Sequence, residues 1–220
     1  MPDGEKYPVK TKVFCIGLPK TGTTSLGVAL QKLGYQVTGP NGLQDPKIEE
    51  NAIPMAFELA EQFDAFRDTP WPVIYQELDK QFPGSKFILS LRDPESWILS
   101  QVRHFGRKET PMRQWMFGAG CPEGNEAIYM QRFDEHKKSV LRYFKNRPQD
   151  LLVMDFDQGD EWEKLCSFLE IDSPDIAFPH ANKALVRKSV SILERLSIKR
   201  IKRFIKRIPR RFSPWRCGGA

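Results

Sequence analysis

The segment Gly17-Leu-Pro-Lys-Thr-Gly-Thr-Thr24 constrains the fold of this chain more than any other. It follows a short apolar run, Val13-Phe-Cys-Ile16, and opens onto Ser25–Leu33, where apolar residues recur at helical spacing. A glycine-bearing turn between a strand and a helix sets successive backbone N–H groups around an anion, and the helix N-terminus adds partial positive charge. The segment therefore predicts a strand–loop–helix unit that holds a phosphate or a group of similar shape.

The rest of the pattern alternates in the same way. Short strands are expected at Lys12–Ile16, Tyr35–Thr38, Lys86–Leu91 and Leu151–Met154, with the Phe63–Asp68 segment between them. Helices are expected to about Leu33, then at Ile48–Gln62, Pro72–Gln81, Pro94–Phe105, Asn125–Lys145 and Glu161–Leu169. Strands separated by helices predict an α/β fold, a parallel sheet covered by helices on both faces. In such sheets ligands bind beyond the carboxyl ends of the strands. That rule gathers the loop after the first strand, Asp68, and Arg92 just after Leu91 into one site.

Charge divides the chain. Lys183–Ala220 holds 13 Lys and Arg against the single acid Glu194, a net +12, so the rest of the chain carries −6 of the total +6. A mildly acidic body does not predict a nucleic-acid partner. The expected organisation is an N-terminal extension at 1–11, one α/β domain at 12–188, and a basic amphipathic helix and tail at 189–220. Within 190–208, Val190, Leu193, Ile198, Ile201, Phe204, Ile205 and Ile208 fall inside about 140° of a helical wheel. That helix is read in three ways: lying on an anionic membrane surface, packing on the body, or binding a polyanionic acceptor. The four cysteines form no C-x-x-C pair, and the first residues lack an apolar signal-like stretch. A cytoplasmic protein, with or without peripheral membrane association, is expected.

The second informative segment is Leu91-Arg-Asp-Pro-Glu-Ser-Trp-Ile-Leu-Ser100. Arg92 leaves a buried strand, and Ser100 follows it by about two helical turns. A guanidinium fork and a hydroxyl suit a second phosphate monoester. Read alone, Arg92 serves equally well as a partner of Asp93 or Glu95. The loop itself departs from the nucleotide triphosphatase pattern G-x-x-x-x-G-K-[ST], because Thr23 stands where that lysine belongs and the lysine sits back at Lys20.

Together these motifs resemble the sulfotransferases that use 3′-phosphoadenosine 5′-phosphosulfate. The similarity continues through Asp68-Thr-Pro70, Tyr75–Leu78, Phe82-Pro83, Leu151–Met154, Trp162–Leu169 and Phe178-Pro-His-Ala-Asn182. The resemblance implies that Pro19, Lys20, Thr21, Gly22, Thr23 and Thr24 hold the 5′-phosphosulfate, and that Arg92 and Ser100 hold the 3′-phosphate. Lys20 would neutralise the leaving oxygen. Asp68 is the expected base, with His104 as the competing candidate and a helix-capping role as the alternative for Asp68. Arg187 stands near the place of a further phosphate contact, and Trp71 or Trp97 is expected to supply a stacking face for adenine. The acceptor is expected to be a hydroxyl or amine of a small molecule, lipid or sugar, chosen by a loop or lid at Gly106–Met130. No metal is expected, since the transferred sulfonyl group bears less charge than the terminal phosphate of ATP. Two other readings stay open. One is a nucleotide kinase or hydrolase, for which Leu151–Asp155 imitates a metal-binding strand. The other is a non-catalytic nucleotide-binding, membrane-tethered protein.

Overall fold

A computed structural model describes residues 11–180. Arg187, the boundary at 188 and the basic tail therefore lie outside the described residues. Five parallel strands form one sheet: β1 (Val13–Cys15), β2 (Val37–Thr38), β3 (Ala65–Phe66), β4 (Lys86–Leu91) and β5 (Leu151–Asp155), in the order β2-β3-β1-β4-β5. The chain runs from β1 to one side of it and then crosses to the other. The central strand thus marks the switch point at which parallel sheets open a crevice.

Alternation along β1 explains the two layers. Val13 and Cys15 face α1 (Thr23–Lys32) and α7 (Trp162–Leu169), in a cluster with Leu26, Leu30 and Leu165. Phe14 and Ile16 face the opposite way, among residues of α2 (Ile48–Gln62), α3 (Tyr75–Gln81), α4 (Pro94–Phe105), α5 (Pro111–Phe117) and α6 (Glu126–Tyr143). Side chains alternate across a strand, so one short run serves both layers. On the second face the ring of Phe14 stacks on Phe66 at 4.7 Å and on Phe87 at 5.5 Å. Burying one such ring contributes about 2–3 kcal/mol, with a further ~1 kcal/mol for each well-placed aromatic neighbour.

Two elements differ from expectation. The helix expected from Pro72 starts only at Tyr75, because Val73 N–H closes a turn on the Pro70 carbonyl at 2.8 Å. The segment expected to be an irregular lid contains a regular helix, α5. Thr110 caps it by accepting from the Arg113 N–H at 3.2 Å, Pro111 occupies its first turn, and Gly118 ends it at φ 78°. Those are ordinary start and stop signals, hidden by the surrounding glycines and prolines. Arg113 staples the segment from inside, donating to the carbonyls of Lys108 and Gly120 and lying over the Phe105 ring.

Candidate active site

The loop after β1 is shaped by what holds its carbonyls. Leu18 O accepts from Thr21 Oγ1 at 2.7 Å, Pro19 O from Trp97 Nε1 at 2.9 Å and Gln101 Nε2 at 2.7 Å, and Lys20 O from Arg92 Nη1 at 3.3 Å. At the root of the loop, His136 on α6 donates Nε2–H to Ile16 O at 2.7 Å. A carbonyl can only accept, so Nε2 carries the proton, and burial pushes the imidazole pKa down to about 4, favouring the neutral ring. The underside also fits tightly against β4. A Cβ added at Gly17 would lie 2.0 Å from Ser90 Oγ, and that hydroxyl meets Thr21 Oγ1 at 2.6 Å.

The upper side of the loop leads into the start of α1. Helix α1 begins at Thr23 without a side-chain cap and without an acid in its first turn. The N–H groups at a helix start have no intrahelical partner, and their dipoles point outward. Gly22 takes φ 101°, and a Cβ there would meet the Phe156 ring at 2.4 Å. Lys20 itself has φ 74°. Burial pushes its ammonium pKa down, the Asp68 carboxylate draws it back up, and Arg92 lowers it further.

Asp68 enters from the end of β3, also in the left-handed region, at φ 66°. Its Oδ2 accepts from Thr23 Oγ1 at 3.1 Å and its Oδ1 from the Thr69 N–H at 3.1 Å. It caps no helix. Desolvation raises its pKa above the usual carboxylate value, against the opposing pull of the Thr23 hydroxyl, Arg67, the Thr69 N–H and Lys20. A carboxylate whose pKa is raised by burial is a stronger base toward the proton of a bound hydroxyl.

The remaining expected residues divide. Arg92 reaches the loop backbone, as above, and its Nε lies 3.7 Å from Asp157 Oδ2 rather than on Asp93 or Glu95. That Nε is buried without a hydrogen bond among the described residues, so the contact is charge attraction alone. Ser100 is half-buried on the same helix as Trp97 and Gln101. Thr24 is half-buried at the open end of α1, whereas Thr21 is buried with its hydroxyl turned inward. His104 is exposed, yet close enough to Lys20 and Asp68 that their charges act on it; burial and Lys20 together lower its pKa. Trp71 and Trp97 are fully enclosed, so neither offers a free face for a base. The aromatic ring beside the loop is Phe156, half-buried over Gly22 and tilted against Phe178 at 5.5 Å. Sequence reading passed over it, and its position directly after a strand end was the available signal.

Comparison with known proteins identifies the family. The sulfotransferase domain matches residues 12–123 and 105–186. The chain is also similar to "Ava biosynthesis cluster protein M" of Aspergillus versicolor, 27% identical over 214 residues that cover 77% of this chain and 80% of that protein. With the match spanning most of its length, the chain belongs to the sulfotransferase domain family and is a sulfotransferase.

Proposed function

We propose that the protein moves a sulfonyl group from 3′-phosphoadenosine 5′-phosphosulfate to a hydroxyl or amine of a small-molecule acceptor. The observation that carries this reading is the bond from Thr23 Oγ1 to Asp68 Oδ2 at 3.1 Å. In a nucleotide kinase that position is a lysine spanning the terminal phosphates. Here it is a buried threonine that holds a carboxylate toward the same loop, so the position serves the acceptor's proton rather than the donor's charge.

The roles proposed combine this placement with the family resemblance. The N–H groups of Gly22, Thr23 and Thr24 receive the phosphosulfate, and Lys20 stands over its leaving oxygen. Arg92 and Ser100 receive the 3′-phosphate, and Phe156 offers the nearest aromatic surface to the nucleotide. The acceptor's O–H or N–H proton passes to Asp68. The acceptor atom bonds to sulfur as the bond from sulfur to the phosphate oxygen breaks, and the electron pair stays on that oxygen beside the Lys20 ammonium. Most of the acceleration comes from holding reactants in line and from fixed charge. A relative whose name places it in a biosynthesis cluster favours a small molecule over a lipid or sugar. Association of residues 189–208 with an anionic membrane is a separate proposal, read from their charge pattern alone.

Calorimetry with adenosine 3′,5′-bisphosphate and with ATP·Mg tests the donor. Tight binding of the bisphosphate with weak or absent binding of ATP·Mg is expected, and the reverse preference overturns the reading. A screen of metabolite mixtures for products heavier by one sulfonyl group identifies the acceptor.

A further inference from the structure

Leu18–Thr21 closes as a β-turn, the Thr21 N–H donating to Leu18 O at 3.3 Å. Proline at its second position and a third residue, Lys20, at φ 74° give it the signature of a type II turn. The third position of such a turn favours glycine, because a Cβ is crowded in the left-handed region. Flipping the central peptide gives a type I turn, in which Lys20 would return to negative φ. Locally, then, this sequence favours the other turn. Something outside the loop holds it as it is.

The central peptide is Pro19–Lys20, and its oxygen accepts from both Trp97 Nε1 and Gln101 Nε2. Both side chains are fully enclosed on one side of α4. The second polar atom of Gln101, Oε1, is buried without a hydrogen bond among the described residues. An amide in that interior is therefore accounted for by its bond to Pro19 O. A trans peptide is planar, with its N–H opposed to its C=O. Fixing Pro19 O against α4 turns the Lys20 N–H away from α4, and α1 packs on the opposite face of the sheet. A flip would break both bonds and turn a carbonyl oxygen toward the side on which the donor's phosphosulfate is proposed to bind.

We propose that Trp97 and Gln101 are positioning residues that lock the Pro19–Lys20 peptide in its anion-binding orientation, so that the Lys20 N–H joins the groups that bind the donor's phosphosulfate. The inference rests on the donor reading above. It extends that site by a backbone donor and by two side chains that touch no substrate.

The test is a titration of the full-length, ¹⁵N-labelled protein with adenosine 3′,5′-bisphosphate and, separately, with inorganic phosphate, following the Lys20 amide. The Lys20 signal is expected to move with both ligands, together with those of Gly22–Thr24. Gln101→Met keeps length and volume but removes the donor. It is expected to weaken the bisphosphate by about tenfold, the loss of one hydrogen bond to a charged group, and to uncouple the Lys20 signal from the titration. A purely structural role would lower the unliganded melting temperature and leave the bisphosphate affinity unchanged. Affinity of Gln101→Met within twofold of the parent overturns the proposal. So does a parent protein in which Gly22–Thr24 respond and Lys20 does not, a result that needs no variant to fold. Should the bisphosphate fail to bind while phosphate still moves Lys20 in the parent and not in Gln101→Met, the lock stands and the nucleotide donor falls.

Discussion

Two loops at the carboxyl edge of the sheet each hold a non-glycine residue in the left-handed region, Lys20 after β1 and Asp68 after β3, and they are held by different forces. In the first loop every carbonyl from Leu18 to Lys20 has a donor, most of them long-range side chains. In the second, the Asp68 oxygens are bonded, but Thr69 Oγ1 and Trp71 Nε1 are buried without partners among the described residues. Two backbone bonds, from the Asn41 N–H to Thr69 O at 2.9 Å and from the Val73 N–H to Pro70 O at 2.8 Å, act there beside aromatic contact, Trp71 lying 4.6 Å from Phe66 and 6.2 Å from Phe14. Hydrophobic burial is non-directional and fixes where a segment sits, whereas hydrogen bonds also fix which way each peptide faces. Under the proposed roles, the first loop needs its peptides aimed at the donor, and the second needs only to present one carboxyl to the acceptor.

The largest test of that contrast removes the side chain each loop presents. Lys20→Ala is expected to lower sulfonyl transfer by about 10³-fold through lost charge stabilisation. Asp68→Asn is expected to lower it by about 10²–10⁴-fold through the lost base. Transfer of labelled sulfonyl group measures both, and parental rates in either variant would remove the role assigned to that residue.

The two loops should also respond oppositely to pH. Burial pulls His136, at the root of the donor loop, down to about 4, so the folded state favours its neutral form. That contribution is complete above the unfolded value near 6.5 and is lost as pH falls toward 4, up to about 3 kcal/mol in all. His136→Gln should flatten the slope of stability between those values in urea unfolding. Asp68 is shifted the other way, its folded pKa raised, so its ionisation weakens the fold as pH rises through that pKa. Asp68→Asn should therefore be more stable than the parent at neutral pH, the gain vanishing below the ordinary carboxylate pKa of about 3.9. As a base, Asp68 also sets the acid limb of kcat/KM above that value. A limb at or below it would deny Asp68 the role.

Smaller effects separate shape from partnership. Gly22→Ala forces a side chain into φ 101° and against Phe156, and should cost about 1–3 kcal/mol together with bisphosphate affinity. Adding Phe156→Leu should recover only the part due to contact. The finest comparison is between two enclosed indoles of equal burial. Trp97→Phe loses a bonded N–H, whereas Trp71→Phe removes an unpartnered one, so Trp71→Phe should be the milder by about 1–2 kcal/mol in thermal or urea unfolding. Equal penalties would mean that the two loops do not differ in the way described.

Much of this molecule was legible in its residues. The run Lys86–Leu91 reads as a strand and is one, and Asp93-Pro94 announces α4 by a cap whose Oδ1 accepts from the Ser96 N–H at 2.9 Å. Helix α5 carried equally clear signals, Thr110-Pro111 and Gly118, which the glycine-rich surroundings obscured. The enclosure of Trp71 and Trp97 was not legible, since a tryptophan after a strand fits a groove wall or a core equally well. Phe156 had only its place after β5 to mark it. No helix among the described residues is long and apolar enough to cross a membrane, which leaves the basic tail's relation to a membrane to experiment.

Sequence alone fixes the alternation of strands and helices, the glycine-bearing loop after the first strand and the displaced Lys20, because each is a local pattern of spacing, capping and side-chain type. The tertiary structure alone decided the strand order β2-β3-β1-β4-β5, and with it the meeting of Thr23 with Asp68 across 45 residues and of Pro19 with Gln101 across 82. Contacts of that span leave no trace in local periodicity. They exist only once the sheet has closed, and here they turn a lysine's peptide against its local preference.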